Sequence, residues 1–336
     1  MSDRRVTVVV TTRNRRGLLE RALASVAAQV GVDVELVVVD EASTDDTASY
    51  LDSQEAPSVR VLRNDVPVGV ARARNQGLEA ASAPWVAFLD DDDLWAPERL
   101  SAQLDALEGA PAAGWAVSGA IVVDDALRVV GAQRPPREGV MPAGVLAYNC
   151  IPGGASGVLA RTDLVLDAGG FDPVFRILAD WDLWTRLALT SSLATVWRPH
   201  VAYVFHGANM TAQPRGFDIE LERIRAKHAA ARAEAGVELD VDAWARWFAE
   251  VARRGGSRLV PAATYARLAA RRRRPVLALK GLSMAVRPGW VARLNAYRQR
   301  TMDPGWLEEA ERWLKASRAH PPPGADRPTD EPAAPT

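Results

Sequence analysis

Four consecutive aspartates, residues 90–93, follow the apolar run VAFL and precede Leu94 and Trp95. Carboxylates this close raise one another's pKa unless a cation neutralises them. A divalent ion held by one or two carboxylates and by phosphate oxygens of a substrate would do so, and Mg²⁺ or Mn²⁺ commonly binds in this way. The stretch therefore predicts a metal–diphosphate site, with a solvated acidic loop as the alternative.

Polar residues also end two earlier apolar runs. Residues 11–14, Thr-Thr-Arg-Asn, end the first run, and Asp40 follows VELVVV. A carboxylate in such a position can accept hydrogen bonds from a nucleoside base or ribose. It can also cap a helix or stabilise a turn, which is the role we expect for Asp45 and Asp46. Asp40 is therefore a candidate nucleoside ligand, with a turn aspartate as the alternative.

The elements that would carry these residues alternate along the first 100 residues. Short β-branched runs predict strands, and apolar residues at helical spacing predict helices. The predicted strands are 6–12, 34–41, 59–64 and 85–90, and the predicted helices are 15–29, 43–54, 68–82 and 96–107. Apolar strands that alternate with helices indicate an α/β fold with a parallel sheet covered on both faces. Since ligands of such sheets bind beyond the carboxyl ends of the strands, the candidate residues are expected in one crevice.

The rest of the chain is less regular. Residues 115–125 and 202–206 are predicted strands, residues 157–171 a strand that leads into a helix, and residues 180–189 a helix. Beyond residue 217 the periodicity is helical, and the last residues are rich in proline, which predicts a disordered tail. We therefore expect an α/β domain over 1–215, a basic, tryptophan-containing helical region over 216–318 and a tail over 319–336.

Five stretches occur together in the first 210 residues: VVVTTRNR, VVVDEASTDDT, GVARARNQG, FLDDDDLW, and GGFD followed by LADWDLWTRL. In this order and spacing they resemble the inverting glycosyltransferases of family 2, over about residues 5–210. The resemblance implies the GT-A fold, in which a mostly parallel sheet flanked by helices binds a nucleotide sugar. It also implies a divalent metal, Mn²⁺ or Mg²⁺, and transfer of a sugar from a nucleoside-diphosphate donor to a hydroxyl acceptor.

The resemblance assigns a nucleoside pocket by position. Thr11, Arg13 and Asp40 would line this pocket, with Asp40 accepting a hydrogen bond from the base. Glu41 and Ala42 depart from the family, which often has Asp or Asn and then Gly or Ser at these positions. The departure alters the turn and leaves Asp40 in place.

The acidic stretch matches the family's D-x-D-D motif. Asp90 would then face the ribose and Asp92 would bind the metal, whereas Asp93 is expected to cap the following helix. Asp91 takes a variable position and receives no role. Arg74, in the family's A-R-N-x-G helix start, would orient this loop or the nucleotide, with a surface salt bridge as the alternative.

Inverting transfer also needs a base that removes the proton of the acceptor hydroxyl. The resemblance assigns this role to Asp180 in LADWDLWTRL, although Ala179 stands where the family often has Glu. Asp182 is the alternative base. Trp181 and Trp184 flank the base and would either stack on sugar rings or pack in the core.

Two further stretches match the family in part. His206, in AYVFHGANMT, takes the position of a histidine that can complete the metal shell, with a structural histidine as the alternative. The glycine-rich residues 153–157 would let the backbone approach the donor, or would form a turn without that role.

Charge is distributed unevenly although the net charge is −1. Residues 217–320 hold 21 Lys and Arg against 12 Asp and Glu, residues 251–300 hold 13 Lys and Arg and no acid, and tryptophans stand at 244, 247, 290, 306 and 313. This pattern fits a peripheral membrane surface, an acidic or phosphorylated partner, or a helical cap with solvated arginines. Nucleic acid is not expected, since no recognition motif occurs and the first 216 residues carry excess acid.

The sequence also bounds the location and the rival functions. Cys150 is the one cysteine, which excludes an internal disulfide and fits a reducing compartment. No apolar run has the length of a signal peptide or a membrane span, so we expect a cytoplasmic protein that contacts at most the inner face of the membrane.

The expected role is in surface polysaccharide, glycolipid or natural-product glycosylation. The alternatives are a non-catalytic nucleotide-sugar-binding protein and a nucleotidyltransferase; TTRNRRG lacks the lysine that the latter's loop would need.

Overall fold

The computed structural model describes residues 4–54, 58–137, 139–206, 209, 216–254, 257–273, 275–286 and 304–318. The predicted tail at 319–336 and Trp290 lie outside these residues. The strands are β1 (Arg5–Thr12), β2 (Asp33–Asp40), β3 (Val59–Arg63), β4 (Trp85–Asp90), β5 (Leu94–Trp95), β6 (Ala113–Val123), β7 (Val129–Gln133), β8 (Val158–Arg161) and β9 (Ser192–Val204).

Helices fill most of the sequence between and after the strands. They are α1 (Arg16–Ala27), α2 (Thr47–Asp52), α3 (Val70–Glu79), α4 (Arg99–Glu108), α5 (Ala143–Ala147), α6 (Thr162–Asp167), α7 (Ala179–Thr190), α8 (Phe217–Lys227), α9 (Ala229–Glu234), α10 (Val241–Arg254), α11 (Leu259–Arg272), α12 (Pro275–Val286) and α13 (Pro304–Arg318). A 3₁₀ turn spans Gly154–Gly157. None of the described helices is both long enough and apolar enough to cross a membrane.

The strands form one sheet in the order β3-β2-β1-β4-β8-β6-β9-β5, with β7 paired to β6. The first four strands are parallel to one another, as their purely apolar sequences predict. Their register sets Thr12 opposite Asp40 and Thr11 opposite Asp90. The ends of three strands therefore meet at one edge, and the polar residues that follow them start from adjacent positions.

The sheet is more mixed than the sequence predicts. The pairs β4–β8, β6–β8, β6–β7 and β5–β9 are antiparallel. β8 returns along β4 without a crossover helix, which antiparallel pairing permits. Leu94 and Trp95 pair with β9, so α4 begins at Arg99 and not near residue 96. The sheet is still mostly parallel, as predicted, because the long strands β6 and β9 also pair in parallel and the antiparallel pairs are short.

Apolar layers cover both faces of the sheet, because alternate residues of β1 point to opposite sides. Val8 and Val10 pack with α1 and α4, whereas Val9 packs in a second cluster with Phe88 and Trp184. Gly77 lets α3 approach this second face, since a Cβ there would lie 2.2 Å from Val9 Cγ1. The sheet is thereby held between helices, and its carboxyl edge remains open.

The helices after residue 216 pack on this body. Phe217 and Trp244 belong to the same apolar cluster as Trp181. In a separate apolar cluster, Trp313 packs with Ile121 and Val204, and its Nε1 donates to Pro199 O at 3.1 Å. The packing therefore crosses the boundary that the sequence predicts at residues 215 and 216, and α8, α10 and α13 complete the core of the α/β part.

Candidate active site

One cleft of about 900 Å³ opens at the carboxyl edge of β1 and β4. The residues that line it come from separate parts of the chain: Thr11, Thr12, Arg13 and Arg15 after β1, Arg74 on α3, Asp90, Asp91 and Asp92 after β4, Tyr148 to Ala155 before β8, Asp180 on α7, and Trp244 and Trp247 on α10. The structure thus brings together the predicted base, most of the predicted donor-binding residues and the acidic loop.

Asp90 forms an ion pair with Arg74, which α3 directs into the floor of the cleft. Arg74 is largely buried and also stacks over Phe171, with 5.2 Å from its guanidinium carbon to the ring centre. Its pKa is raised because the charges of Asp90 and Asp180 outweigh the effect of burial. The alternative of a surface salt bridge is therefore wrong, since Arg74 is buried and pairs with Asp90 in the cleft.

Asp91 and Asp92 share a second cation, Arg15. Arg15 Nη1 lies 3.0 Å from Asp91 Oδ1 and 3.1 Å from Asp92 Oδ2. Thr12 Oγ1 also donates to Asp91 at 2.8 Å. Burial and the charge of Asp92 still raise the pKa of Asp91 to about 7. The repulsion within the acidic loop is thus offset in part by arginines of the protein itself.

Asp92 is held from the opposite side by the segment after β9. His206 Nε2 lies 3.0 Å from Asp92 Oδ2, and Asn209 Nδ2 lies 3.3 Å from the same oxygen. Asn209 Oδ1 in turn accepts from the backbone N–H of His206. The predicted neighbours Asp92 and His206 are therefore in contact, and Asn209 orients both.

Asp93 points away from the cleft into the protein. Its Oδ2 accepts from Ser156 Oγ at 2.6 Å and its Oδ1 from the backbone N–H of Val204 at 3.0 Å. Burial and the charges of Asp92 and Asp90 raise its pKa well above the usual value. The predicted helix cap is wrong because β5 follows directly, and Asp93 instead ties the acidic loop to β9 and to the turn before β8.

The carboxylates of the acidic loop fit a divalent cation. Ligand oxygens of Asp90, Asp92 and Asp93 lie within 4.8 Å of one another. The oxygens of Asp93 accept hydrogen bonds inside the protein, whereas Asp90 and Asp92 line the cleft, although each also pairs with an arginine. Carboxylate oxygens that reach an open cleft are the ligands that Mg²⁺ and Mn²⁺ prefer.

Asp180 lies in the first turn of α7, across the cleft from the acidic loop. Burial raises its pKa to about 6, although the charge of Arg74 and the backbone N–H of Trp181 favour the ionised form. Gly154 permits a close approach, since a Cβ there would lie 3.1 Å from Asp180 Oδ2. The carboxyl group is therefore partly shielded from water and faces the cleft.

Asp182, the alternative base, is fully buried and is not among the described residues that line the cleft. It contacts Arg186, Lys227 Nζ at 2.8 Å and His228 Nε2 at 2.9 Å. Burial opposes its ionisation, but the hydrogen bonds of His228 and Lys227 and the charge of Arg186 lower its pKa to about 2. These contacts make Asp182 a buried anchor between α7 and α8.

The residues predicted for nucleoside binding separate into two groups. Thr11 and Arg13 line the cleft. Asp40 is fully buried behind it, where Oδ1 accepts from the backbone N–H of Ser43 and Oδ2 lies 3.4 Å from Arg63 Nε. Ala42 has a positive φ of 57°, so the turn is of the kind for which the family often uses Gly. A base would reach Asp40 only if this turn moved, and its role in binding stays a prediction.

Aromatic residues of two helices differ in their access to the cleft. Trp181 and Trp184 are fully buried in the core, and Trp181 Nε1 donates to Val145 O. Trp244 and Trp247 of α10 line the cleft instead. The glycine-rich segment forms a tight turn at the cleft wall, with positive φ at Gly153 and Gly154.

Sequence reasoning missed Arg15, Ser156 and the two tryptophans of α10. Nothing in TTRNRRG distinguishes Arg15 from its neighbouring arginines, because only the turn after β1 decides which one points at the acidic loop. Asn209 had a signal, since it stands three residues after His206 in a family pattern that has Asn there. α10 reaches the cleft through tertiary packing, which no local pattern encodes.

Comparison with known proteins agrees with this geometry. Residues 7–150 match the family described as glycosyl transferase family 2. Among solved structures, S. aureus TarS 1-349 in complex with UDP-GlcNAc has a TM-score of 0.57, at 18% identity over 74% of this chain and 72% of the TarS chain. The fold is thus that of a GT-A glycosyltransferase. Residues 7–150 are thus similar in sequence to the glycosyltransferase domain of family 2.

Curated proteins also match part of the chain, and two of them differ in how much of it they cover. An uncharacterized protein of Mycobacterium tuberculosis is 31% identical over 209 residues, which cover 58% of this chain and 65% of the relative. The GalNAc(5)-diNAcBac-PP-undecaprenol beta-1,3-glucosyltransferase of Campylobacter jejuni is 38% identical over 106 residues, which cover 31% of this chain and 33% of that enzyme. The chain spans less than two thirds of the length of either relative.

Proposed function

We propose that the protein is an inverting glycosyltransferase that moves a sugar from a nucleoside-diphosphate donor to a hydroxyl acceptor. The observation that carries the proposal is that Asp92, after β4, and Asp180, on α7, line one cleft. Transfer requires a diphosphate site and a proton acceptor that face the same substrate. A protein that only binds nucleotide sugars would need the diphosphate site but no proton acceptor.

Donor binding would use the wall formed by the ends of β1 and β4. Thr11 and Arg13 would contact the nucleoside, and Asp90 the ribose. Arg15 and Arg74 hold the carboxylates of the acidic loop in place through the ion pairs described above. The loop is thereby pre-organised before the donor arrives, which lowers the cost of ordering it on binding.

Asp92 would hold a divalent cation, Mn²⁺ or Mg²⁺, together with His206, whose Nε2 lies 3.0 Å from Asp92 Oδ2. Asp90 offers a further oxygen on the cleft side. When bound, such a cation offsets the negative charge of the leaving diphosphate. Arg15 already balances part of the charge of Asp92. The net negative charge that faces the cation would therefore be smaller than the charge of three aspartates.

Asp180 would act as the base. The acceptor hydroxyl attacks the anomeric carbon on the face opposite the diphosphate, so the new C–O bond forms as the bond to the diphosphate oxygen breaks. The hydroxyl proton passes to the carboxylate of Asp180. A pKa of about 6 leaves this group ionised at neutral pH and still able to accept a proton well. Attack from the opposite face inverts the anomeric configuration.

The acceptor is proposed to be a lipid-linked glycan in surface polysaccharide or glycolipid synthesis, with natural-product glycosylation as the other setting. The Campylobacter relative is named for a PP-undecaprenol acceptor, which supports this choice. A lipid-linked acceptor would place the enzyme in the cytoplasm at the inner face of the membrane, as a peripheral protein.

A donor-hydrolysis screen over nucleotide sugars, with Mn²⁺, Mg²⁺ or chelator, tests the proposal. UDP-GlcNAc is the first donor to include, because TarS was solved with it. We expect cation-stimulated release of the nucleoside diphosphate, and a product with inverted anomeric configuration by NMR once an acceptor is found. Cleavage of the diphosphate bridge to sugar 1-phosphate and a nucleoside monophosphate would indicate a nucleotidyltransferase, and donor binding without any turnover would indicate a binding protein.

A further inference from the structure

The hairpin formed by α11 and α12 exposes an unusual amount of apolar surface. Six large apolar side chains stand between half and four-fifths exposed: Leu259 at 80%, Val260 at 50%, Val276 at 64%, Leu279 at 64%, Leu282 at 61% and Val286 at 66%. Monomeric soluble proteins rarely expose apolar side chains in such a group. The exposure therefore points to a partner that covers them.

The exposed residues of α12 share one face of the helix. Positions 276, 279, 282 and 286 recur at helical spacing and form a stripe. The opposite face carries Leu277, which packs against α10 and α11, and Gly281, where a Cβ would lie 2.9 Å from Tyr265 Cβ. The stripe is thus the outer face of α12. Because the two helices run antiparallel, Leu259 and Val260 at the start of α11 lie toward the carboxyl end of that stripe.

The charge of the hairpin restricts what can cover it. Residues 258–286 contain seven Lys and Arg and no Asp or Glu. Arg271 and Arg272 pair with Asp242 of α10, whereas Arg258 and Arg267 are exposed on the hairpin itself. A second copy of the same surface would bring like charges together across a closed contact. The complementary partner is apolar in its interior and negatively charged at its surface.

We propose that the α11–α12 hairpin binds the surface of an anionic lipid bilayer. The stripe of α12 enters the boundary between head groups and acyl chains, and the flanking arginines meet lipid phosphates. The inference deepens the proposed function by naming the surface that would bring the cleft to a lipid-linked acceptor. The apolar face and the charge on which it rests do not depend on the chemistry of the cleft.

The hairpin is attached to the wall of the cleft. Tyr265 and Leu268 of α11 pack with Ala249 of α10 in one apolar cluster. α10 in turn presents Trp244 and Trp247 to the cleft. A bilayer that holds the hairpin therefore also fixes the orientation of the cleft relative to the lipid surface.

Vesicle flotation with the full chain tests the proposal. Wild-type protein should float with phosphatidylglycerol-containing vesicles and much less with pure phosphatidylcholine, and added salt should weaken the binding. The double variant Leu279→Ser/Leu282→Ser should lose binding at least tenfold, and so should Arg258→Gln/Arg267→Gln. Leu166→Ser, on the exposed side of α6 and 46% exposed, is the matched control and should bind as wild type.

Donor hydrolysis without vesicles separates the two proposals, because the three variants should retain wild-type hydrolysis whether or not they bind lipid. Equal flotation of the wild type and the Leu279→Ser/Leu282→Ser variant would overturn the inference. So would a failure of the wild type to bind anionic vesicles. Concentration-dependent self-association that this double variant abolishes would also overturn it, since the occupant would then be a second copy of the chain.

Discussion

Arg74 and Asp90 form an ion pair in the floor of the cleft, and the charge of the same guanidinium also acts on Asp180. Arg74 therefore links the acidic loop to the proposed base, although the two belong to different elements. It lies on α3, whose close contact with the sheet depends on Gly77. The acidic loop and the proposed base are thus linked by the charge of one arginine as well as by packing.

Replacing Arg74 should shift the pH dependence of transfer. The base must be ionised, so wild-type kcat should rise with pH through about 6, the pKa of Asp180. Arg74→Met removes a positive charge that favours the ionised form, and the inflection should move to higher pH by about one unit or more. The control is Arg72→Met, which changes an exposed arginine of the same helix. An unchanged profile in the Arg74 variant would show that Asp180 does not set the acid limb.

Asp92→Asn should remove the stimulation of donor turnover by Mn²⁺ or Mg²⁺. The substitution keeps the shape but weakens the interaction with a cation, and the charge of the leaving diphosphate is then less well offset. We expect a loss of about 100-fold in kcat at saturating metal. Asp105→Asn is the control, since Asp105 is 66% exposed on α4. Retained metal stimulation in Asp92→Asn would place the cation elsewhere.

Asp182 should contribute to stability and not to proton transfer. Asp182→Ala leaves Lys227 and His228 without their buried partner, which should cost about 3 kcal/mol of unfolding free energy at pH 7. Since the folded-state pKa of about 2 lies below the unfolded value of about 3.9, the ionic part of this contribution is present above about pH 4. It is lost as the pH falls through about 2.

Urea unfolding at pH 7 and at pH 2.5 measures this contribution. The difference between wild type and Asp182→Ala should shrink at the lower pH. Asp163→Ala provides a surface control, because Asp163 is 58% exposed and pairs with Arg161, and it should cost under about 1 kcal/mol. An Asp182→Ala protein that is as stable as wild type at pH 7 would contradict the proposed anchoring role.

Glu220 of α8 should act as a positioning residue for Asp180. Its carboxylate accepts hydrogen bonds from the backbone N–H groups of Arg176, Ile177 and Leu178, at 3.0, 2.9 and 2.9 Å. These residues immediately precede the helix that carries the base. Glu220→Ala leaves the three donors unpaired, and a small displacement of Asp180 should lower kcat about tenfold or more with little change in donor affinity.

The conservative variant distinguishes positioning from general destabilisation. Glu220→Gln retains one oxygen that can accept from the backbone and should recover part of kcat. Glu222→Ala, at a 68% exposed position of the same helix, should behave as wild type. Equal losses of kcat and donor affinity in Glu220→Ala would indicate that the whole site is disturbed, and the positioning role would then be wrong.

Local patterns predicted the first four strands to within about a residue, because each is a short apolar run that must be buried on both faces. β4, for example, spans Trp85–Asp90 in the structure and 85–90 in the sequence prediction. β9 is far longer than the predicted 202–206, since SLATVWRPH carries exposed and polar residues that hide its strand character. Its partner β5 has two residues and no pattern of its own.

The residues of the site divide in the same way, into those that local motifs indicated and those that depend on distant parts of the chain. The motifs located Asp90, Asp92, Asp180 and His206 because their positions relative to strand and helix ends are local features. The sequence did not indicate that Asp93 turns inward, because Ser156 and Val204, which bind it, are distant in the chain. Nor did it place Trp244 in the cleft, because that depends on how α10 packs.

The most direct test of the account compares transfer and donor binding in Asp180→Asn. The amide keeps the size of the side chain but cannot accept the hydroxyl proton. The account predicts that donor affinity, measured by calorimetry with metal present, stays within about twofold of wild type, while acceptor-dependent transfer falls by about 10²-fold or more. Transfer at the wild-type rate in Asp180→Asn would contradict the central claim that this cleft holds the donor and its base together.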